Sequence, residues 1–535
     1  MEQYLLPKRV VTYSGNIINI DNLFINKEKQ IGLNEPVTTI MKDDSSILLD
    51  FGKEICGGGR ILVCNYNNKP INLLVRFGES VSESLACVGE KNATNDHAVR
   101  EMTIQTTNLC DIKFGNTGFR FLYIKKLTTE IDLIIKNIYA LSIYNNKNII
   151  GSFNCDDELI NNIYATSSYT VSLCVQNDYV WDGVKRDRLV WIGDLHPEFL
   201  SLSCMYDDLK EIKNSLDFVC KQTPLPGWMN SIPMYSMWWI IILNDYYNKT
   251  KDIDFIIKHK KYIIDLLKQI CLNVDASGKT IFPMNFLDWP SSDSSDLIAG
   301  IHALTIICLK KALKVLDILN ESSITHVIKE KLDLLLGYKY QIDSKKQVVA
   351  LNAIARCDYN KDTYEKLTEN GSNGFSTFMS YYILKALFNS GGKDESISLM
   401  KEYYGAMLDL GATTFWEDFD ISWKEGCYRI DEMPNGKKDI HGDFGKYCYE
   451  GFRHSLCHGW SSGPVAFLTE FIAGIKTSEE DDKKIFINPY LGSLNYVECS
   501  YPTKYGVIKV CHKKDSNGLI ITTFEKPEEI EIICK

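Results

Sequence analysis

Apolar and polar positions change their spacing twice along this chain. Up to about residue 150 the apolar positions come in short or alternating runs: Ile47-Leu48-Leu49-Asp50-Phe51, Ile61-Leu62-Val63 and Leu73-Leu74-Val75-Arg76-Phe77. Turn clusters such as Gly57-Gly58-Gly59 and Asn67-Asn68-Lys69-Pro70 separate them. That is the pattern of strands, and at this spacing a sandwich is the natural architecture. From about 150 the period becomes helical. Leu159, Ile160, Ile163 and Tyr164 fall on one helix face behind a cap at Asn154 or Asp156. Phe255, Ile256, Tyr262, Ile263, Leu266, Leu267 and Ile270 repeat that spacing, with Gly278 in the turn that follows. Similar segments run near 300–319, 322–338, 376–389, 394–409 and 461–475, with Gly391-Gly392 as one break. Beyond about 482 the strand pattern returns. There Val507–Val510 and Leu519–Thr522 flank a turn at Asp515-Ser516-Asn517-Gly518, the signature of a hairpin.

The chain is therefore expected to be multidomain: a β-sandwich over 1–150, a helical domain over 151–478 and a smaller β domain over 479–535. Its 535 residues exceed what one core ordinarily supports. Helices of 15–20 residues in hairpin succession predict antiparallel pairs. No strict 34- or 40-residue repeat is visible, so a closed toroid of hairpins is favoured over an open solenoid.

Charge and composition narrow the function. With 59 basic against 69 acidic side chains, the net charge of -10 leaves no basic excess for nucleic acid or an anionic membrane surface. The longest apolar run, Met237–Leu243, is far too short to span a bilayer. The N-terminus MEQYLLPKRVV has no apolar stretch of signal length, and the 17 cysteines include no CxxC pair. Reduced thiols and a cytoplasmic location are expected.

Chemistry concentrates in three segments. The first, Trp181–Asp194, packs three carboxylates, two arginines and two tryptophans into fourteen residues. Ionised groups and large aromatics together suit a sugar, which offers C–H faces to stack on and hydroxyls to bond. A loop of structural salt bridges is the plainer alternative. The second segment, Gly411–Asp420, again sets acids beside a tryptophan (Trp416-Glu417-Asp418). Glycoside hydrolysis needs one carboxyl to protonate the leaving oxygen and a second to act opposite it, and two distant segments can place one on each side of the sugar. The third is His454-Ser455-Leu456-Cys457-His458-Gly459-Trp460. Its histidines have the i, i+4 spacing of metal ligands on a helix, but Gly459 favours a loop and no HExxH motif is present, so no metal is expected. Trp228, Asp288 and Trp289 are further candidate wall residues, whereas Trp238-Trp239 read as core. With no Walker pattern, no GxGxxG after a strand and no GxSxG elbow, no cofactor is expected.

In this order the three segments resemble the bacterial α-L-rhamnosidases of glycoside hydrolase family 78. The resemblance runs through Asp182-Gly-x-x-Arg186-Asp187-Arg188-Leu189-x-Trp191-x-Gly193-Asp194, Thr413-Thr414-Phe415-Trp416-Glu417 and Ser455-Leu456-Cys457-His458. Phe51-Gly52 and Phe114–Arg120 are similar to the family's accessory β-domain. It implies an (α/α)6 toroid between β-sandwich domains and an inverting, metal-independent removal of terminal rhamnose from oligosaccharides or glycosides. It also implies Asp187 as general acid, Glu417 as general base, and Asp182 and Asp194 as holders of the sugar hydroxyls. Arg186, Trp191, Trp416 and His458 would line the same pocket, and Trp460 of the third segment is a further candidate beside them. The family usually carries glutamate at the acid position, where this chain has Asp187, one methylene shorter. An aspartate acid must keep its proton well above its usual pKa of about 3.9. Asp182, Asp194 and the tryptophans would help, while Arg186 and Arg188 oppose it unless they point away. Two alternatives stand beside this reading: a six-hairpin glycosidase for another sugar, and a non-catalytic carbohydrate-binding relative.

Overall fold

The computed structural model describes residues 1–66, 69–343, 345–447 and 449–534. Asn67 and Asn68 of the expected turn cluster lie outside the described residues.

The N-terminal region is one nine-stranded antiparallel sheet organised on the long strand Ser46–Val63. Cys110–Lys126 pairs with it along most of its length. Arg9–Ser14 pairs only with its first part and Leu133–Ile143 only with its second. Register shifts fall between Asp50 and Ile55 and between Gly57 and Gly59, so the sheet folds over at this corner and encloses its own apolar core. The Gly57–Gly59 cluster, expected to be a turn, thus lies inside a strand. The reason is close approach: a Cβ on Gly57 (φ +151°) would stand 1.9 Å from the Leu141 carbonyl oxygen.

The middle of the chain is a ring of helical hairpins. Six inner helices follow one another around it: Ile192–Met205, Pro233–Thr250, Leu297–Ile318, Lys346–Arg356, Ser380–Asn389 and Pro464–Phe467. The last packs back on the first, which closes the toroid. Outer helices such as Lys210–Gln222, Thr325–Gly337 and Lys393–Asp409 lie between them in sequence. Trp238 and Trp239 are buried in the second inner helix, as their apolar context predicts. The first outer helix is Glu158–Cys174. Its cap is Asp157, which accepts from Ile160 N at 3.1 Å, rather than Asn154 or Asp156. The single helix expected near 461–475 is instead a 3-10 turn at Gly459–Ser462, the α-turn Pro464–Phe467 and a π-turn at Leu468–Ile472.

The C-terminal strands recruit pieces from both ends of the helical region. Ser152–Cys155 pairs with Tyr496–Thr503 in a four-stranded sheet, and Ile475–Thr477 pairs with Lys484–Ile487 in a three-stranded one. The expected hairpin is present, with Gly506–Lys514 against Ile520–Glu525 and Gly518 at φ +80° in its turn.

Candidate active site

The inner helices all start at one end of the ring, and the loops entering them build a cavity of about 380 Å3. Trp181–Trp191 leads into the first inner helix and Asp194 sits in that helix's first turn. Asn230, Ser231 and Ile232 precede the second inner helix, and Met284, Phe286 and Trp289 precede the third. Glu417 follows the outer helix Lys393–Asp409, and His458 and Trp460 precede the closing inner helix. The first and third motifs are joined by backbone: Gly183 and His458 form an isolated antiparallel bridge, and Gly459 N donates to the Asp182 carbonyl at 2.7 Å. Glu417 N in turn donates to the Ser455 carbonyl at 3.0 Å. Three segments far apart in sequence thus meet at one wall.

Arg186 links the two carboxylates of greatest interest. Its Nη1 donates to Asp187 Oδ1 at 2.9 Å, and its Nη2 lies 2.6 Å from both oxygens of Glu417. Its Nε is tied to the Arg453 carbonyl and its guanidinium lies 4.9 Å from the centre of the Tyr449 ring, which fixes the fork. Two carboxylates on one guanidinium have nearest oxygens no more than about 8 Å apart. Of the two arginines whose direction mattered, Arg186 points at Asp187 and Arg188 points away, to Asn116 O and Oδ1.

His458 is the buried cation of the site. Its Nε2 is 2.9 Å from Asp194 Oδ2 and its Nδ1 3.7 Å from Glu417 Oε1. Burial alone would push this imidazole down, but Glu417, Asp194 and Asp182 outweigh it and hold its pKa at about 9. Burial, reinforced by Asp194, pushes the Asp182 carboxyl well above the usual carboxylate range despite His458. One Asp182 oxygen also accepts from Leu189 N at 2.9 Å, and Tyr235 Oη lies 3.3 Å from Asp194 Oδ1. Trp191 lines the cavity, and its buried indole N–H has no hydrogen-bond partner among the described residues. Trp460 lines it too, stacked on Phe378 at 5.0 Å with its N–H on the Glu417 carbonyl. Trp289 forms another part of the wall, stacked on Tyr447.

Three expected wall residues are not brought there. Trp416 is 1 % exposed and packs behind the site against Phe419 and His454, because neighbouring loop residues point to opposite sides and Glu417 takes the cavity side. Asp288 caps the 3-10 turn Trp289–Ser291 and bonds Ser291 and Ser376. Trp228 lines a neighbouring cavity with Leu189 and Phe218, which meets the first at Asn230 and Ser231. The sequence reading missed Asn230, Tyr235, Phe286, Tyr449 and Arg453 as lining residues. Tyr235 sits in a helix that reads as core, and Arg453 is one residue before the third motif.

The two histidines weighed as metal ligands diverge: His454 Nε2 accepts from Asp418 N at 3.0 Å while His458 faces Asp194. Glu79, Glu83 and His441 do gather ligand atoms within 4.8 Å of one another. The ammonium of Lys185 occupies that neighbourhood, 2.9 Å from Glu79 and 3.3 Å from Glu83.

A closed ring of paired helices with acids and aromatics at the mouth defines a six-hairpin glycosidase fold. Residues 148–312 match the family described as the bacterial alpha-L-rhamnosidase 6 hairpin glycosidase domain. No curated protein matches the chain. Among solved structures it is similar to a GH78 rhamnosidase of Bacillus sp. GL1, with TM-score 0.78, 19% identity, and 97% of this chain and 55% of that one covered. It is also similar to a rhamnosidase from Klebsiella oxytoca with rhamnose bound (TM-score 0.67, 19% identity, 88% and 95% covered). A third is the Streptomyces avermitilis alpha-L-rhamnosidase complexed with L-rhamnose (TM-score 0.69, 13% identity, 91% and 48% covered). The chain therefore spans about half the length of the Bacillus and Streptomyces proteins, and likeness at these identities establishes the fold.

Proposed function

We propose that this protein is an inverting exo-glycosidase that removes terminal α-L-rhamnose from a short oligosaccharide or glycoside. The observation that carries the reading is the pair Asp187 and Glu417, brought from distant segments into one aromatic-walled cavity and bridged by Arg186. Asp187 protonates the glycosidic oxygen as the bond breaks. Glu417 accepts a proton from the water that attacks the anomeric carbon from the opposite face. Their separation, bounded at about 8 Å, is compatible with the range of about 6.5–9.5 Å that leaves room for a water in inverting enzymes. Asp182, Asp194 and the free indole N–H of Trp191 hold the sugar hydroxyls. The cavity with Leu189, Phe218 and Trp228 adjoins this one at Asn230 and Ser231 and suits a leaving group with an apolar face.

Asp187→Asn and Glu417→Gln are each expected to lower kcat at least about a hundredfold on a nitrophenyl rhamnoside. Full activity in both variants would refute these roles, and a retained anomeric configuration by product NMR would refute inversion. Cleavage of a different nitrophenyl glycoside with none of the rhamnoside would move the activity to another sugar. The second reading, a sugar-binding protein without turnover, is favoured by one observation: the short acid Asp187 is already engaged by Arg186. Activity appearing only in Asp187→Glu would establish it. A cytoplasmic site of action accords with the unpaired described cysteines. No helix among the described residues is long and apolar enough to cross a membrane.

A further inference from the structure

Asp187 stands on a strained corner. Asp187 and Arg188 have φ of +53° and +56°, left-handed conformations that non-glycine residues keep only where the surroundings impose them. Much of what imposes them here comes from the N-terminal sheet region. Asn116 takes the Arg188 guanidinium through two hydrogen bonds, Thr117 Oγ1 donates to the Lys185 carbonyl at 3.3 Å, and Glu79 and Glu83 hold the Lys185 ammonium. A further contact falls on the carboxylate itself. His97, on the loop before strand Glu101–Thr106, places Nε2 3.4 Å from Asp187 Oδ1, the same oxygen that Arg186 engages. That loop is tied to the site by the ion pair of Asp96 with Arg453, a lining residue.

We propose that His97 is a positioning residue for the acid and that, with Arg186, it decides which oxygen carries the proton. The inference rests on the reading of Asp187 as general acid. An oxygen that accepts from Arg186 and has the His97 ring nitrogen 3.4 Å away is disfavoured as the site of a carboxyl proton, so Oδ1 takes the carbonyl role and the proton goes to Oδ2. Among the described residues nothing hydrogen-bonds Oδ2, which leaves it for the glycosidic oxygen. A carboxylate one methylene shorter than glutamate loses reach, and fixing its rotation and its proton offsets part of that loss. The N-terminal region thus supplies part of the acid machinery.

Proton delivery matters most when the leaving group is poor, which gives a readout that simple loosening of the fold would not move. His97→Ala is expected to lower kcat about tenfold on an alkyl rhamnoside and much less on 4-nitrophenyl rhamnoside, with KM nearly unchanged. His97→Gln keeps an N–H donor and is expected to restore most of the loss. Equal losses on both substrates, no loss on either, or no recovery in His97→Gln would each overturn the assignment while the proposed function stands. A wild-type protein that turns over neither glycoside overturns the function, and this assignment with it.

Discussion

The two β regions flank the same ring and differ in what they touch. The N-terminal sheet reaches the cavity through buried ionic contacts. Lys185, from the motif that carries Asp187, sits between Glu79 and Glu83 and also bonds the Phe452 and His454 carbonyls. Glu79 continues to Leu456 N and Ser455 Oγ in the third motif. The C-terminal sheets contact the ring through its remote surface. Lys249 donates to the Pro502 carbonyl, and Asp156 accepts from Asn495 and Tyr496. None of their residues lines the cavity. Accessory strands that look alike in sequence therefore have different consequences: one set is wired into the loop of Lys185 and Asp187, the other braces the scaffold.

The strongest way to break this contrast is Lys185→Met. It leaves two buried carboxyls without their cation, and burial already pushes Glu79 up to about 7. Removing one partner of a buried pair costs about 3–5 kcal/mol. The melting temperature should fall and turnover should collapse, because the acid loop loses its anchor. A Lys185→Met protein with normal kcat would show that the N-terminal region braces without organising the site.

Two buried histidines sharpen the contrast by pH. In the site, His458 is raised to about 9, above its unfolded value of about 6.5. Its contribution is fully present below about 6.5 and is lost as pH rises through about 9. In the C-terminal sheet, His512 is lowered by burial, although its Nε2 bonds the Ala473 carbonyl at 3.0 Å. Its contribution is present above the unfolded value and is lost as pH falls through its lowered one. His458→Gln is expected to remove an alkaline limb from both melting temperature and kcat/KM, whereas His512→Gln alters only the acid side of the stability curve. An unchanged alkaline limb in His458→Gln would contradict the charged state assigned to that residue.

How much of this was legible in the sequence depended on the range of the interaction. Helical spacing read out the hairpins, and the motif acids Asp182, Asp187, Asp194 and Glu417 did come together, because loops entering successive inner helices open at one end of the ring. Closure of the ring was not written in any local pattern: the last inner helix is a broken 464–472 turn that packs on the first. Side choice within a loop was also hidden, so Trp416 was placed in the wall when only its neighbour Glu417 faces the cavity. The contributions of Glu79 and His97 left no signal, and the likeness over Phe114–Arg120 did not reveal that Asn116 holds Arg188. Each is an ordinary polar residue in a strand or loop until the fold carries it to Lys185, Asp187 or Arg188.

The smallest expected effect tests the other half of the contrast. Lys249 Nζ donates to Pro502 O at 2.7 Å and lies 3.8 Å from the centre of the Tyr501 ring, a half-buried clasp between the second inner helix and the C-terminal sheet. Losing one hydrogen bond and a cation–π contact costs about 1–2 kcal/mol, and methionine retains the packing of the stem. Lys249→Met should therefore lower the melting temperature slightly and leave kcat/KM unchanged, because the hydrogen bond and ring contact of Lys249 go to Pro502 and Tyr501, away from the cavity. A fall in kcat/KM with stability intact would mean that the C-terminal sheet also communicates with the acid and base, through the inner helix that carries both Lys249 and the cavity residue Tyr235.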